Sequence, residues 1–380
     1  MAAVSFCVGT LGGAVDVEQM ARDLVHVNVA MEDMGEVAWG WSGPNHLLDG
    51  LWDDDVLVGN TLLQANLVKA QKVFPATRLK AEIALEIKAE SGAGFVSKKR
   101  RKEIAKDVKE RLFKDAPVGL GGISVVVDGP AGRVYSDAFS DGKLYALDIN
   151  LHALFGKDEG KRLGPLTPET AIALDRGLKI GDLKPLRFGM WGQEEMFCFH
   201  LGREFLTWLL MCSETAGDMP DLGDVLVEGP LVFVGGTMAS KVTLAGDLAT
   251  RAEETIRALE AGRLLKSARV TLVPKGDDET AYPFTVDADY WHFKGLKLPK
   301  QGGFPDAKQQ LVHRLKCMKA VEDMWLGLFR FFVDLKVNDQ DRLQESVQKW
   351  IEWKLQRDQL HVAPEEVKPV KGSKGKRGGK

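Results

Sequence analysis

Between Lys98 and Lys114 the chain carries nine lysines and arginines against three acids, Glu103, Asp107 and Glu110, a net of +6. Cations at that density do one kind of chemistry: they hold anions, phosphate polymers above all. A second block lies at the far end, where residues 368–380 hold six basic residues and no acid. The formal charge of the whole 380-residue chain is −3, so removing that +6 leaves −9 for residues 1–367. An acidic body with two basic segments speaks of partners more than of fold.

The residue patterns of familiar catalysts are missing. A phosphate-binding loop needs GxxxxGK[ST], which brings backbone N–H groups and a lysine onto the phosphates, and no stretch matches it. Gly9-Thr10-Leu11-Gly12-Gly13 follows a strand-like run and precedes a helix-like one, but lacks GxGxxG spacing. It reads as a tight turn. There is no GxSxG nucleophile elbow, and the seven histidines never fall at HxH or HExxH spacing. Metal-dependent nucleases gather carboxylates. The clusters that could serve are Asp53-Asp54-Asp55, Glu194-Glu195 with Glu204, and Asp277-Asp278-Glu279. The first and third read as solvated turns, and no set of acids on adjacent strands stands beside a lysine. The expectation is a protein with no catalytic residue, no metal ligand and no cofactor. A metal-dependent nuclease is the alternative reading, and an RNA- or protein-binding module built on the same basic segment is another.

What must position these cations is a helix. Ser97 is placed to cap it and Pro117 to close it, so the spacing predicts a helix over 97–114. At about 100° per residue, Ile104, Ala105, Val108 and Leu112 share one sector. Lys98, Lys99, Lys102, Lys106 and Lys109 share the opposite one. Five cations in the first turn oppose the helix dipole, a placement that an anionic partner would repay. Lysines and arginines without Asn, Gln or aromatic readers give affinity without sequence specificity.

The rest of the chain supplies the scaffold. Composition is 44% hydrophobic and 28% charged, ordinary for a chain with a sizeable core. Strands are expected over Val4–Thr10, Val37–Trp41 and Val56–Lys69. Hairpins are expected at Ile123–Asp128 with Arg133–Phe139, at Leu231–Val234 with Lys241–Leu244, and at Ala268–Pro274 with Ala281–Asp287. Helices are expected over Asp16–Val29, from Pro75 to Ser91, and over Leu144–Phe155 and His200–Glu214. Another is expected from a Thr250 cap to Ala261, and two long ones follow, Asp306–Leu335 and Asn338–Leu360. Strand pairs mixed with helices, without regular βαβ spacing, predict an α+β fold of antiparallel hairpins and packed helices. The longest uncharged run, Met1–Val15, is too short for a membrane span and lacks a basic start for a signal peptide. The four cysteines form no CxxC pair, which suits a reducing cytoplasm.

Several stretches, taken in order, resemble the recombination-associated protein RdgC family. They are Trp39-Gly-Trp-Ser-Gly-Pro-Asn-His-Leu-Leu-Asp49, Gly94-Phe-Val-Ser-Lys-Lys-Arg-Arg-Lys-Glu103, Gly164-Pro-Leu-Thr-Pro168, Leu201-Gly-Arg-Glu-Phe-Leu-Thr-Trp-Leu209 and Ala252-Glu-Glu-Thr-Ile-Arg-Ala-Leu-Glu-Ala-Gly262. The resemblance covers about residues 1–335, and Gln344–Lys380 extends beyond it. It implies a homodimer closed into a ring around double-stranded DNA. It also implies a nucleoid-associated cytoplasmic protein that restrains RecA-dependent recombination by occupying shared DNA.

The resulting expectation is an α+β chain with an N-terminal lobe (1–156) carrying the basic helix and a central lobe (157–305). A helical segment (306–361) and a disordered basic tail (362–380) complete it. The DNA contacts are expected from Lys98, Lys99, Arg100, Arg101, Lys102, Lys106, Lys109 and Arg111, and from Lys371, Lys374, Lys376 and Arg377 in the tail. Trp350 and Trp353 are expected to dock on a Trp325/Phe329/Phe332 stripe.

Overall fold

The computed structural model describes residues 3–24, 37–49, 56–73, 75–92, 95–114, 116–155, 162–189, 200–215, 219–235, 240–246, 248–276, 280–299, 304 and 306–361. Within them the chain is α+β, with nine helices and a twelve-stranded antiparallel sheet. It opens with β1 (Ala3–Thr10), whose register decides the architecture. Ala3, Val4 and Phe6 pair with the late strand β12 (His292–Lys297), while Cys7–Thr10 pair with β6 (Arg133–Ser136). One strand therefore carries a single sheet across both predicted lobes. The order along it is β2-β4-β5-β6-β1-β12-β11-β10-β8-β9.

On the N-terminal side, α1 (Val17–Asp23) is capped by Asp16, whose carboxylate accepts from the backbone N–H groups of Glu18 and Gln19 at 3.0 Å each. The helix expected to reach Val29 turns out at Leu24, whose backbone is extended; residues 25–29 lie outside the described residues. Strand β2 (Val37–Ser42) pairs with β4 (Leu62–Lys72). The single strand expected over 56–69 is split, because a 3-10 turn at Gly59–Thr61 separates β3 (Leu57–Val58) from β4. Gly59 enters that turn at φ 48°, where a side chain would be strained. Between β4 and β5 (Val118–Asp128) the chain leaves the sheet as two helices, α2 (Ala76–Ser91) and α3 (Lys98–Lys114). It then returns in register, Lys72 opposite Val118. After β6 come α4 (Asp141–Leu154) and β7 (Gly164–Pro165), which pairs with the end of β1. The helix α5 (Pro168–Arg176) follows; its periodicity is short, and its signal was the Thr167–Thr170 capping box with proline at its first turn.

The rest completes the sheet and covers it with helices. Helix α6 (Leu201–Thr215) precedes the hairpin of β8 (Gly223–Gly235) and β9 (Ser240–Leu244). Then comes α7 (Glu253–Glu260), which Thr250 does not cap. A 3-10 turn at Ala249–Arg251 precedes it, and Thr255 holds that turn by donating to the Ala249 carbonyl at 2.6 Å. Gly262 ends the helix at φ 70°. Strands β10 (Leu264–Pro274), β11 (Tyr282–Asp287) and β12 follow; β12 was not anticipated, being short and interrupted by Lys294 and Gly295. The chain ends in α8 (Ala307–Asn338) and α9 (Gln340–His361), broken at Asp339.

Strand side chains alternate between faces, and the two faces of the sheet feed two cores. Phe6, Val8, Val126 and Tyr135 point into the larger, built with α6, α8 and α9. Cys7, Val125, Val127 and Val134 point into the smaller, built with α1 and α4. The centre of the larger is aromatic: Phe205 meets Trp325 and Phe329 edge-on at 5.0 and 5.2 Å, and Trp291 meets Phe329 at 4.8 Å. The expected Trp325/Phe329/Phe332 stripe is thus covered by α6 and the sheet. Trp350 is buried and donates to Glu214 at 2.9 Å, but Trp353 stays 40% exposed. No helix among the described residues is long and apolar enough to cross a membrane.

Candidate nucleic-acid interface

Helix α3 forms as its caps predict: the Ser97 hydroxyl accepts from the Arg100 N–H at 3.2 Å. Its apolar sector is used once. Ile104 and Val108 are buried with Val96, against Leu79, Ile83 and Ile87 of α2. The two helices thus form an arm with a small core of its own, carried on the end of the β4–β5 ladder. At 1.5 Å per residue, α2's sixteen residues give the arm a length of about 24 Å. At its root Lys72 is buried, donating to the Phe113 carbonyl at 3.0 Å with its ammonium 4.4 Å over the Phe113 ring.

The structure sorts the predicted cations into two kinds. Arg100 and Arg111 lie beside the apolar seam and reach across it. Arg100 binds Glu90 at 2.6 Å and Glu103 at 3.3 Å, and Arg111 binds Glu86 at 2.6 Å and Glu82 at 3.3 Å. Hydrogen bonding to Arg100 holds Glu90 below the ordinary carboxylate range, and bonding to Arg78 and Arg111 does the same for Glu82. These arginines fasten the arm together. Lys106 pairs loosely with Glu110 at 3.5 Å, and Lys109 is also engaged. Lys98, Lys99, Arg101 and Lys102 are exposed and make no ion pair among the described residues. They sit on the first turn and a half of α3, at the end of the arm farthest from the sheet. Lys371, Lys374, Lys376 and Arg377 lie outside the described residues.

Sequence reasoning found the cations and missed both what holds them and what stands beside them. Glu82, Glu86 and Glu90 recur every fourth residue on α2, an acidic stripe that a search for helix partners would have exposed. Phe95, in the turn joining the helices, is 91% exposed while its neighbour Val96 is buried.

Of the carboxylates considered for catalysis, Glu204 alone lies among the described residues. Glu204 is buried and bound to Lys336 at 2.5 Å, accepting also from the Leu186 N–H at 3.1 Å, while Lys336 donates to the Lys184 carbonyl at 2.7 Å. Burial pushes Glu204 up to about 7, against the pull of Lys336, and lowers Lys336. That pair ties α6 to α8. Asp53–Asp55, Glu194–Glu195 and Asp277–Glu279 lie outside the described residues, and no group of three His, Cys, Asp or Glu among the described residues could hold a metal. A cavity of about 290 Å³ between α5, α8 and β6 is bordered by three arginines. Each is tied to an acid: Arg133 to Glu322, Arg176 to Asp334, Arg330 to Asp175. No protein-family model and no curated protein matches the chain.

Proposed function

We propose that the protein binds double-stranded DNA without regard to sequence, through the tip of the α2–α3 arm. The observation that carries this reading is the set of four cations, Lys98, Lys99, Arg101 and Lys102, that have no ion pair among the described residues while Arg100 and Arg111 are spent on holding the arm. Four charges held on one rigid helix end cost free energy by mutual repulsion, which a polyanion removes. Contacts of lysine and arginine to phosphates fix position and carry no base information. The resemblance of the ordered stretches to the RdgC family supports the wider reading, in which two copies close a ring around duplex DNA and limit RecA-dependent recombination by occupying it. In that reading the protein is not an enzyme, and it works in the cytoplasm on the nucleoid.

The test is a salt titration of duplex binding. About six phosphates neutralised by arm and flanking residues give a slope of log K against log salt near −5. Replacing Lys98, Lys99, Arg101 and Lys102 together by alanine flattens it by about three to four. Deleting residues 369–380 changes the slope less. An unchanged slope in the quadruple variant, with its circular dichroism intact, overturns the assignment. Degradation of the duplex with Mg²⁺ that survives repurification favours the nuclease alternative. Light scattering that gives the monomer mass with DNA binding retained removes the ring.

A further inference from the structure

Phe95 is the largest departure from ordinary burial in the arm. A phenylalanine ring 91% exposed to water is costly to keep, and nothing in the arm's own core needs it, since the adjacent Val96 already plugs the end of the helix pair. It stands three residues before Lys98, so an exposed aromatic and four cations without an ion pair among the described residues share the tip of the arm. Phosphates and exposed π faces occur together on nucleic acid whose bases are unstacked or unpaired, where stacking on an aromatic side chain adds to backbone attraction whatever the base. In an intact duplex the base faces are hidden, and an apolar side chain reaches them only by wedging a step open.

We propose, building on the reading of the arm as a DNA-binding element, that Phe95 stacks on exposed nucleobases. The arm thereby selects DNA with interruptions, such as gaps or bulges, over continuous duplex. Two other occupants fit less well. A lipid surface is bound by an apolar helix face, and the apolar face of α3 is already filled by α2. A second copy of the same tip would bring four cations against four.

The experiment measures binding of the full chain to a short duplex, to the same duplex with a small gap, and to vesicles of phosphatidylserine and phosphatidylcholine. Wild type, Phe95→Ala, Phe95→Trp and the quadruple cation variant are compared. The proposal expects wild type to bind the gapped duplex about tenfold tighter than the intact one, the order that base stacking supplies. Phe95→Ala loses that preference while keeping intact-duplex affinity within about twofold, because phosphate contacts are untouched. Phe95→Trp keeps the preference, and 2-aminopurine opposite the gap is quenched by wild type and not by Phe95→Ala. Equal wild-type affinity for the two duplexes overturns the proposal, as does a preference that survives Phe95→Ala. Vesicle binding that Phe95→Ala abolishes while the DNA preference stays intact overturns it in favour of a lipid surface. A mass in solution that falls on Phe95→Ala, with the preference unchanged, overturns it in favour of a second copy. The reading beneath it fails separately, when the quadruple variant binds both duplexes like wild type.

Discussion

The arm and the body of this protein solve the same problem, holding charged side chains in place, in opposite ways. The body has surface ion pairs too, but its tightest ties are buried: Lys336 with Glu204 between α6 and α8, Lys354 with Glu214 at 2.8 Å, and Glu322 with Arg133 at 3.2 Å and the Tyr135 hydroxyl at 2.6 Å. Burial raises Glu322 as it raises Glu204. The first two pairs tie α8 and α9 to α6, and the third ties α8 to β6 of the sheet. In the arm the pairs are at the surface, around a core of only Val96, Ile104 and Val108 with partly buried neighbours. Buried pairs are stiff and punish the loss of one partner; surface pairs are worth little each and are screened by salt. The difference gives a heavily cross-tied body that carries a light arm, held by a few surface pairs and a small core.

The largest break of this contrast is at Lys336. Lys336→Met leaves Glu204 buried without its partner and is expected to cost about 3–5 kcal/mol by urea unfolding, while Glu204→Leu with Lys336→Met together recovers most of the loss. If the double variant is no better than the single one, the pair is not what holds α6 to α8.

Val108→Ala comes next, expected to cost about 1–2 kcal/mol of local stability. Hydrogen exchange should show protection falling about tenfold within residues 76–114 with the sheet unaffected. A uniform loss across the chain would show that arm and body unfold as one unit. Glu82→Gln with Glu86→Gln, which frees Arg111, is expected to cost the arm less than Val108→Ala does, an effect that molar salt erases.

The smallest effect is on pH dependence in the body. Burial lowers His292 from 6.5, so the unfolded chain takes up a proton there that the folded one resists. Stability from this group is present above about pH 6.5 and is lost as the pH falls below it. Glu204, raised to about 7, works in the opposite direction over the same window. Subtracting a His292→Gln titration from that of wild type cancels the Glu204 part. The remaining slope should be below one proton, and a zero difference would mean that His292 titrates normally.

Much of the local structure was legible before the fold. Period-2 and period-3.6 apolar patterns marked most strands and helices, because each element buries one face whatever lies opposite. The caps Asp16 and Ser97 and the stop at Gly262 act within a few residues of themselves, and so were readable in line. Where a local rule failed, a distant contact had won. Thr250 is not the cap because it lies inside a 3-10 turn ahead of α7, a turn whose Thr250 carbonyl is held by Lys354 at 2.9 Å from 104 residues away. The weak strand β12 exists because β1 and β11 flank it with hydrogen bonds.

The same division runs through the candidate interface. Sequence alone determined that residues 98–114 form a helix with an apolar stripe and a row of cations, because periodicity and charge are properties of the chain itself. It could not determine which cations lack an ion pair among the described residues, since Arg100 and Arg111 are set apart from Arg101 by facing Glu82, Glu86 and Glu90 on another helix. Nor could it determine that Phe95 faces water while Val96 is buried. Which of two adjacent apolar residues enters a core depends on where the partner helix lies, and only the tertiary structure decides that.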